Sequence, residues 1–303
     1  MAIDLVVVGH FSKDTIITPE ACRKAMGGVP SYSLFLKRWK MKLGIVSKCG
    51  PDFLMHYGGK IRSSGAVLVG SGRKTTEFVN QYSSNGQRTQ EVGNIAEPIQ
   101  MRDFPAHFYK AKAVHFGPII NEIELALIRN VHAVCPLVSL DPQGFCRRLD
   151  GKKVIPTPWK DASDVLPYVH LLKTTEKELK LIASSCHNEE EAITWTMRQG
   201  PKMLIITRGA AGASVFTEKE EISLPALPIS AIDPTGAGDV FVLAFLAIYL
   251  ESGDIQKATT YGGACAALST EAYGPLLEFE DQKLQTLLTI ARNSMNVRGI
   301  AGT

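Results

Sequence analysis

Long apolar runs are missing from this sequence. The longest, Val240 to Leu250, is about half the ~20 residues that a membrane-spanning helix requires. Met1-Ala2-Ile3 carries neither a basic segment nor an extended apolar stretch, so no secretory leader is expected. Cys-x-x-Cys spacing is absent among Cys22, Cys49, Cys135, Cys146, Cys186 and Cys265. That absence argues against paired-cysteine chemistry and reads as reduced thiols in a cytoplasmic protein. The histidines, His10 and His115 among them, show no metal-ligand spacing, and no metal is assigned to them. Lys/Arg blocks are lacking too, and a net charge of +3 is too small to argue for a nucleic-acid partner. Internal repeats and low-complexity linkers do not occur.

What is present is a chain of 303 residues, 45% hydrophobic, long enough for one large α/β domain with a small appendage or two modest domains. Leu5-Val6-Val7-Val8 reads as a strand buried on both faces, Pro30 to Lys40 as a helix, and Leu43 to Ser47 as the next strand, which is how a parallel α/β fold begins. The segment 74–100 breaks the alternation. Two polar, β-rich stretches, Thr75 to Tyr82 and Gln87 to Val92, flank Ser83-Ser84-Asn85-Gly86, where Asn-Gly signals a hairpin turn. An edge hairpin or a lid that keeps bulk water from a site would both fit, and a lid is favoured. Alternation resumes with strands at Val114-His115-Phe116, Leu137 to Leu140, Tyr168 to Lys173 and Met203 to Thr207, and a helix from Asn121 to His132. The last third reads as helices over Ile255 to Thr270 and Phe279 to Ser294, with a frayed tail from Asn296 to Thr303.

The most informative stretch is Asp233-Pro234-Thr235-Gly236-Ala237-Gly238-Asp239, which precedes the apolar helix Val240 to Leu250. Glycines that open a helix leave free N–H groups at the positive end of the macrodipole, where an anion can approach. Asp239 in the first turn puts a carboxylate beside that anion site, a pairing suited to deprotonating a hydroxyl while the amides hold a phosphoryl group. An ordinary capped helix start, with Asp233 or Thr235 as cap, is the plainer alternative. The full run resembles the signature of the ribokinase-like (PfkB) carbohydrate kinases, usually Asp-Thr-Gly-Ala-Gly-Asp, here with an inserted proline. The resemblance extends from Leu5 to about Leu288.

That resemblance implies a ribokinase-like three-layer α/β/α sandwich with a mainly parallel sheet and a small β lid. It implies a single kinase domain over 1–303, with lid segments near 10–26 and 72–102. Activity is expected to be ATP- and Mg²⁺-dependent phosphorylation of an alcohol, with Asp239 as base and Gly236, Ala237 and Gly238 as the anion hole. Asp14, Gly27, Gly28, Gln143 and Arg147 match positions that bind the acceptor; a carboxylate accepting O–H bonds is a natural partner of a polyol. Thr207, Arg208, Gly209 and Gly212 match the loop at the ATP phosphates, and Gly262 lies where the family packs a helix against adenine and ribose. Glu178 matches the family's magnesium-organising glutamate, acting through water, although Thr175 replaces the usual Asn. Thr175 and Glu178 also read as a capping box. Asp141-Pro142-Gln143-Gly144-Phe145-Cys146-Arg147 and Val8-Gly9-His10 are similar to myo-inositol kinases of archaea and plants. A nucleoside or other sugar kinase, with Phe11, Tyr32 and Phe78 as a base slot, and a non-catalytic nucleotide-sensing relative are the rivals. The exposed lid edges admit a homodimer.

Overall fold

The computed structural model describes residues 3–83 and 88–300. Its strands, numbered along the chain, are β1 (Leu5–Val8), β2 (Ser12–Ile17), β3 (Cys22–Gly27), β4 (Leu43–Val46), β5 (Val67–Val69), β6 (Thr76–Tyr82), β7 (Arg88–Val92), β8 (Ala113–Phe116), β9 (Val138–Leu140), β10 (Arg147–Asp150), β11 (Lys153–Pro156), β12 (Leu171–Thr175), β13 (Met203–Thr207), β14 (Ala213–Thr217), β15 (Glu220–Leu224) and β16 (Asn296–Gly299). They form a large sheet in the order β16-β15-β14-β13-β12-β9-β8-β1-β4-β5 and a small one in the order β10-β11-β7-β6-β2-β3. From β5 across to β13 every pairing is parallel; β14, β15 and β16 close that side antiparallel.

Successive side chains of a strand point to opposite faces, and in the buried strands both faces are apolar. Leu5 and Val7 enter one core; Val6 and Val8 enter another. The first core also takes the helices Ala237–Ser252, Ile255–Ser269 and Asp281–Ser294, the second the helices Leu125–His132 and Glu176–Ile182. The result is three layers, α/β/α. The helix Ala237–Ser252 is sequestered from Asp239 through Ile248, which explains why its sequence lacks a polar stripe.

The small sheet is mixed: β2 and β6 run parallel, and its other pairings are antiparallel. Period-2 alternation sends Ser12, Asp14 and Ile16 to its buried face. His10 ties this sheet to the body, with Nδ1 2.9 Å from Thr76 Oγ1 and Nε2 2.9 Å from Glu97 O. The Asn85-Gly86 turn lies outside the described residues; Tyr82 and Arg88 are the nearest paired positions.

Several boundaries differ from those read in the sequence. The helix expected from Asn121 begins at Leu125, because Asn121 is left-handed (φ 61°) and Glu122 spends its carboxylate on the amides of His10, Ile119 and Ile120. Pro30 to Lys40 is one short α turn, Val29–Ser33, continued as a 3-10 helix to Trp39. Tyr168 belongs to a 3-10 turn, and its strand starts at Leu171. Residues 296–299 are no frayed tail but a strand on β15. Strands β10 and β11, each four residues long and only partly exposed, had no periodic signal and were not expected.

His115, on β8, is fully buried with Nδ1 2.9 Å from Ser139 Oγ. Burial, with the Lys173 charge adding to it, lowers its pKa to about 3. The unfolded chain binds this proton near pH 6.5, so the neutral ring's contribution to stability is complete above that pH and is lost as pH falls toward 3. Asp14 and Asp239, raised by burial, act in the opposite sense, so a difference measurement is required. His115→Gln is expected to flatten the acid side of the melting-temperature profile relative to wild type between pH 6.5 and 5; parallel profiles would contradict this.

Candidate active site

A cavity of about 790 Å³ lies between the two sheets, over the C-terminal ends of the parallel strands, where open α/β sheets bind ligands. Thr175 ends β12 and Thr207 ends β13, while Asp14, Phe78 and Asn80 come down from the small sheet.

The floor is the start of the helix Ala237–Ser252. Gly236 is its N-cap in the left-handed region (φ 80°, ψ −2°), and a Cβ there would collide with the Tyr32 ring. Asp233 Oδ1 accepts from Thr235 N (2.9 Å), and Ile232 N and Asp233 N donate to Thr270 O, anchoring the approach. Thr235 through Asp239 all line the cavity, and amides of a first helical turn lack intrahelical acceptors. Ala237 departs from the sequence reading, since its N–H donates to Pro234 O at 3.2 Å. Gly236 and Gly238 are left as the better candidates for an anion.

Asp239 is 8% exposed. Burial raises its pKa to about 7; Lys173 and Arg147 pull it down, Asp141 and Glu178 push it up. Gln143 reaches its Oδ1 at 3.5 Å and accepts from Arg147 at 3.0 Å, while the other arm of Arg147 donates to Ile119 O. Asp14 is no exposed loop residue. It sits buried on β2 with Ser12 donating to it at 2.7 Å, and burial lifts its pKa to about 6. Any side chain on Gly27 would overlap Asp14 and Ser12, and Gly28 (φ 78°) packs on His10 O, so this glycine pair makes room for the carboxylate. Asp14, Gly28, Gln143, Arg147 and Asp239 thus share one end of the cavity.

At the other end, Thr207, Gly209 and Gly212 follow β13, and the wall continues through Leu224, Pro225, Leu227, Ile229 and Ala266. Two sequence-assigned residues are placed elsewhere. Arg208 bonds Glu189 and Ser214 (3.0 Å to its Oγ), with its guanidinium tied down by this pair. Gly262 packs on Phe241 between helices, and the cavity is met by Gly263 instead. A helical pattern of small residues could not distinguish the two neighbours. Glu178 lines the cavity and also closes the capping box, its Oε2 accepting from Thr175 N and Oγ1 at 3.0 and 2.9 Å. Among the described residues no cluster of three or more acidic, His or Cys side chains could cage a metal. A single carboxylate on the cavity wall, that of Glu178, does fit Mg²⁺, which keeps several waters and needs few protein ligands.

Sequence reasoning missed Lys173, Asn80, Gln90 and Arg88. Lys173 is 4% exposed, faces the cavity and donates to Asp141 Oδ2 at 2.6 Å. Asn80, 1% exposed on β6, accepts from Gln90 Nε2 at 2.8 Å, and its own Nδ2 has no partner among the described residues. Alternation along 76–82 signalled an inward face that included Asn80, but polarity hid its purpose.

The profile of the pfkB family carbohydrate kinases matches residues 144–281. Over that stretch, a little under half of its length, the chain is similar to the PfkB carbohydrate kinases. It is a kinase, a phosphotransferase with an alcohol acceptor. Cytidine kinase of Thermococcus kodakarensis is 27% identical over 273 residues, covering 86% of this chain and 93% of that protein. A pyrophosphate-dependent kinase in the ribokinase family, complexed with a pyrophosphate analog and myo-inositol, superposes with a TM-score of 0.80 at 24% identity, over 93% of this chain and 99% of that one. Arabidopsis thaliana ribokinase complexed with ribose and ATP gives 0.74 at 19% identity, over 95% and 99%. These superpositions establish a ribokinase-like fold for this chain, with its large mostly parallel sheet and smaller mixed lid sheet.

Gly236→Ala should cost at least the ~1–2 kcal/mol of a left-handed L-residue, and more because Tyr32 must move. A lower melting temperature together with at least a tenfold loss of turnover is expected; wild-type values for both would show that the loop tolerates a side chain.

Proposed function

We propose that this kinase transfers the γ-phosphoryl group of ATP to a hydroxyl of a small polyol, with myo-inositol the leading acceptor and Asp239 the base. The observation that carries the donor is the apolar wall of Leu224, Pro225, Leu227, Ile229 and Ala266, continuous with the anion loop. An adenine ring gains from such a wall, whereas pyrophosphate would leave it bare. Gly209, Gly236 and Gly238 would hold phosphates through main-chain amides, with Thr207 beside them; the Gly212 N–H is taken by Gly209 O, so this glycine would shape the loop. Mg²⁺, held by donor oxygens and through water by Glu178, would neutralise phosphate charge.

At the opposite end, Asp14 is suited to accept O–H bonds, and Asn80 Nδ2 to donate one. A buried amide without a partner costs ~1–3 kcal/mol, a cost removed when a substrate oxygen or a water sits there. Gln143 and Arg147 would orient the acceptor against Asp239, which takes the proton as the hydroxyl attacks phosphorus. The lid sheet would exclude water. A polar, hydroxyl-reading end favours a polyol over a nucleoside, and the aromatic slot for a base is incomplete. Tyr32 and Phe78 border the cavity, but Phe11 lies fully buried against Phe53, 4.9 Å between ring centroids. The reading includes a cytoplasmic location, in keeping with six free thiols, and leaves the lid edges β3 and β10 for a homodimer.

A second reading keeps the acceptor and replaces ATP by pyrophosphate, favoured by the likeness to the pyrophosphate-dependent kinase above. A panel of ATP and pyrophosphate against myo-inositol, fructose, ribose and cytidine separates the readings. Highest kcat/KM with ATP and myo-inositol is expected; turnover with pyrophosphate alone overturns the donor, and preference for cytidine overturns the acceptor.

Asp239→Asn is expected to lower kcat by about 10²–10⁴-fold while ATP binding stays within a few-fold, measured by calorimetry. Near-normal turnover would reject Asp239 as base. A base must be deprotonated to act, so wild-type kcat/KM should fall as pH drops through about 7. A flat profile down to pH 5 would contradict this assignment.

A further inference from the structure

We infer that Lys173 is a second catalytic residue, whose ammonium group binds the transferred phosphoryl group from the side of Gly238 while remaining tethered to Asp141. The inference deepens the proposed function and rests on its assignment of the phosphoryl site.

A Cβ built on Gly238 would stand 2.6 Å from Lys173 Nζ, so the ammonium fills the space that a side chain at 238 would take. Glycine at 238 therefore has a second purpose: it admits a cation to the wall of the anion loop. Lys173 comes from β12 and reaches the loop from the sheet, whereas the amides come from the helix Ala237–Ser252. One ammonium proton goes to Asp141 Oδ2, and Asp141 is itself fixed by accepting from Gln143 N at 3.1 Å. An ammonium has three donors. The cavity is where the others can be used.

Burial alone would favour the neutral amine, but Asp141, Glu178 and Asp239 outweigh it and raise the Lys173 pKa above its ordinary range. The residue is a fixed positive charge at working pH. His115 also feels it, from β8. If Lys173 served only to balance Asp141, the pair could sit anywhere in the core. Its placement against Gly238, inside the cavity, is what a purely structural pair does not require. A fixed donor aimed at charge that develops in transfer is worth about 10²–10³ in kcat at other sites.

The test compares Lys173→Met, Lys173→Arg and the double variant Lys173→Met/Asp141→Asn with wild type, using whichever donor wild type consumes. Failure of the ATP assignment is thus visible in wild type alone. Lys173→Met leaves Asp141 buried and unpaired and is expected to lower the melting temperature; the double variant restores it. Turnover should stay about 10²–10³-fold low in both, with the acceptor KM within a few-fold. The groups whose charges reach Asp239 are Lys173, Asp141, Arg147 and Glu178, so removing the lysine should shift the acid limb of kcat/KM to higher pH. Lys173→Arg should recover part of the rate. Recovery of turnover together with stability in the double variant, or an unmoved acid limb in Lys173→Met, would overturn the inference and leave Lys173 as a charge-balancing residue.

Discussion

The first turn of the helix Ala237–Ser252 can face the cavity only because Gly236 lacks a side chain. At φ 80° the chain turns sharply into the helix against the Tyr32 ring, with no room for a Cβ. Everything else at the site is placed relative to that turn. Asp239, in the first helical turn, is aimed by it; Gly238 leaves space for Lys173; and Tyr32, buried among Asp14, Asp239 and Asp233, keeps its phenol protonated far above the usual range. A helix start of this kind concentrates N–H groups and dipole charge on one point, and the closed packing behind it keeps that point from relaxing.

Charge at the site is balanced in pairs that differ in tightness. Asp141 and Lys173 form a close buried pair, 0% and 5% exposed at their side chains. Asp239 has no such partner. Its contact with Gln143 is long, and four charged neighbours act on it in opposing directions. The difference in surroundings separates two carboxylates that the sequence presents alike. One is held by a cation; the other is left to take up and release a proton near neutrality. Asp14, raised to about 6 by burial, belongs to the second kind in its environment, yet it is bonded by Ser12 and sits on the lid, where holding a hydroxyl needs no base.

Fold and site were legible in the sequence to different depths. Buried parallel strands announce themselves as continuous apolar runs, and the Asp-Pro-Thr-Gly-Ala-Gly-Asp run marked the helix start and the carboxylate in its first turn. What escaped was information carried by tertiary contact. Asn296–Gly299 has no periodicity of its own and becomes a strand because β15 offers an edge. Strands β10 and β11 are short and lack a continuous apolar run, and they owe their shape to pairing with each other and, through β11, with β7. Arg208 looked like a phosphate ligand from its place in a glycine-rich loop; only the fold brings Glu189 to its guanidinium. Lys173 lay inside a recognised motif, but nothing in its spacing indicates that its side chain reaches Gly238, since the approach comes from a different layer.

Donor and acceptor ends of the cavity are built from different parts of the chain, and this division bears on how such a kinase changes specificity. The acceptor end draws on β2, β6, β7 and the segment after β9; the donor end draws on the stretch after β13, the stretch after β15 and the helix Ile255–Ser269. Under the proposed mechanism, the anion loop, Lys173 and Asp239 lie between them and would be shared, because they would act on the phosphoryl group and the attacking oxygen. A donor lacking a base would still engage that shared centre, and an acceptor with different hydroxyls would still present one to Asp239. Substitutions on the lid strands should therefore move acceptor preference with little effect on donor choice, and the reverse should hold for the apolar wall at Leu224 and Ala266. The physical cause is origin in the fold: one group stands on the lid strands and after β9, the other after β13, after β15 and on the helix Ile255–Ser269.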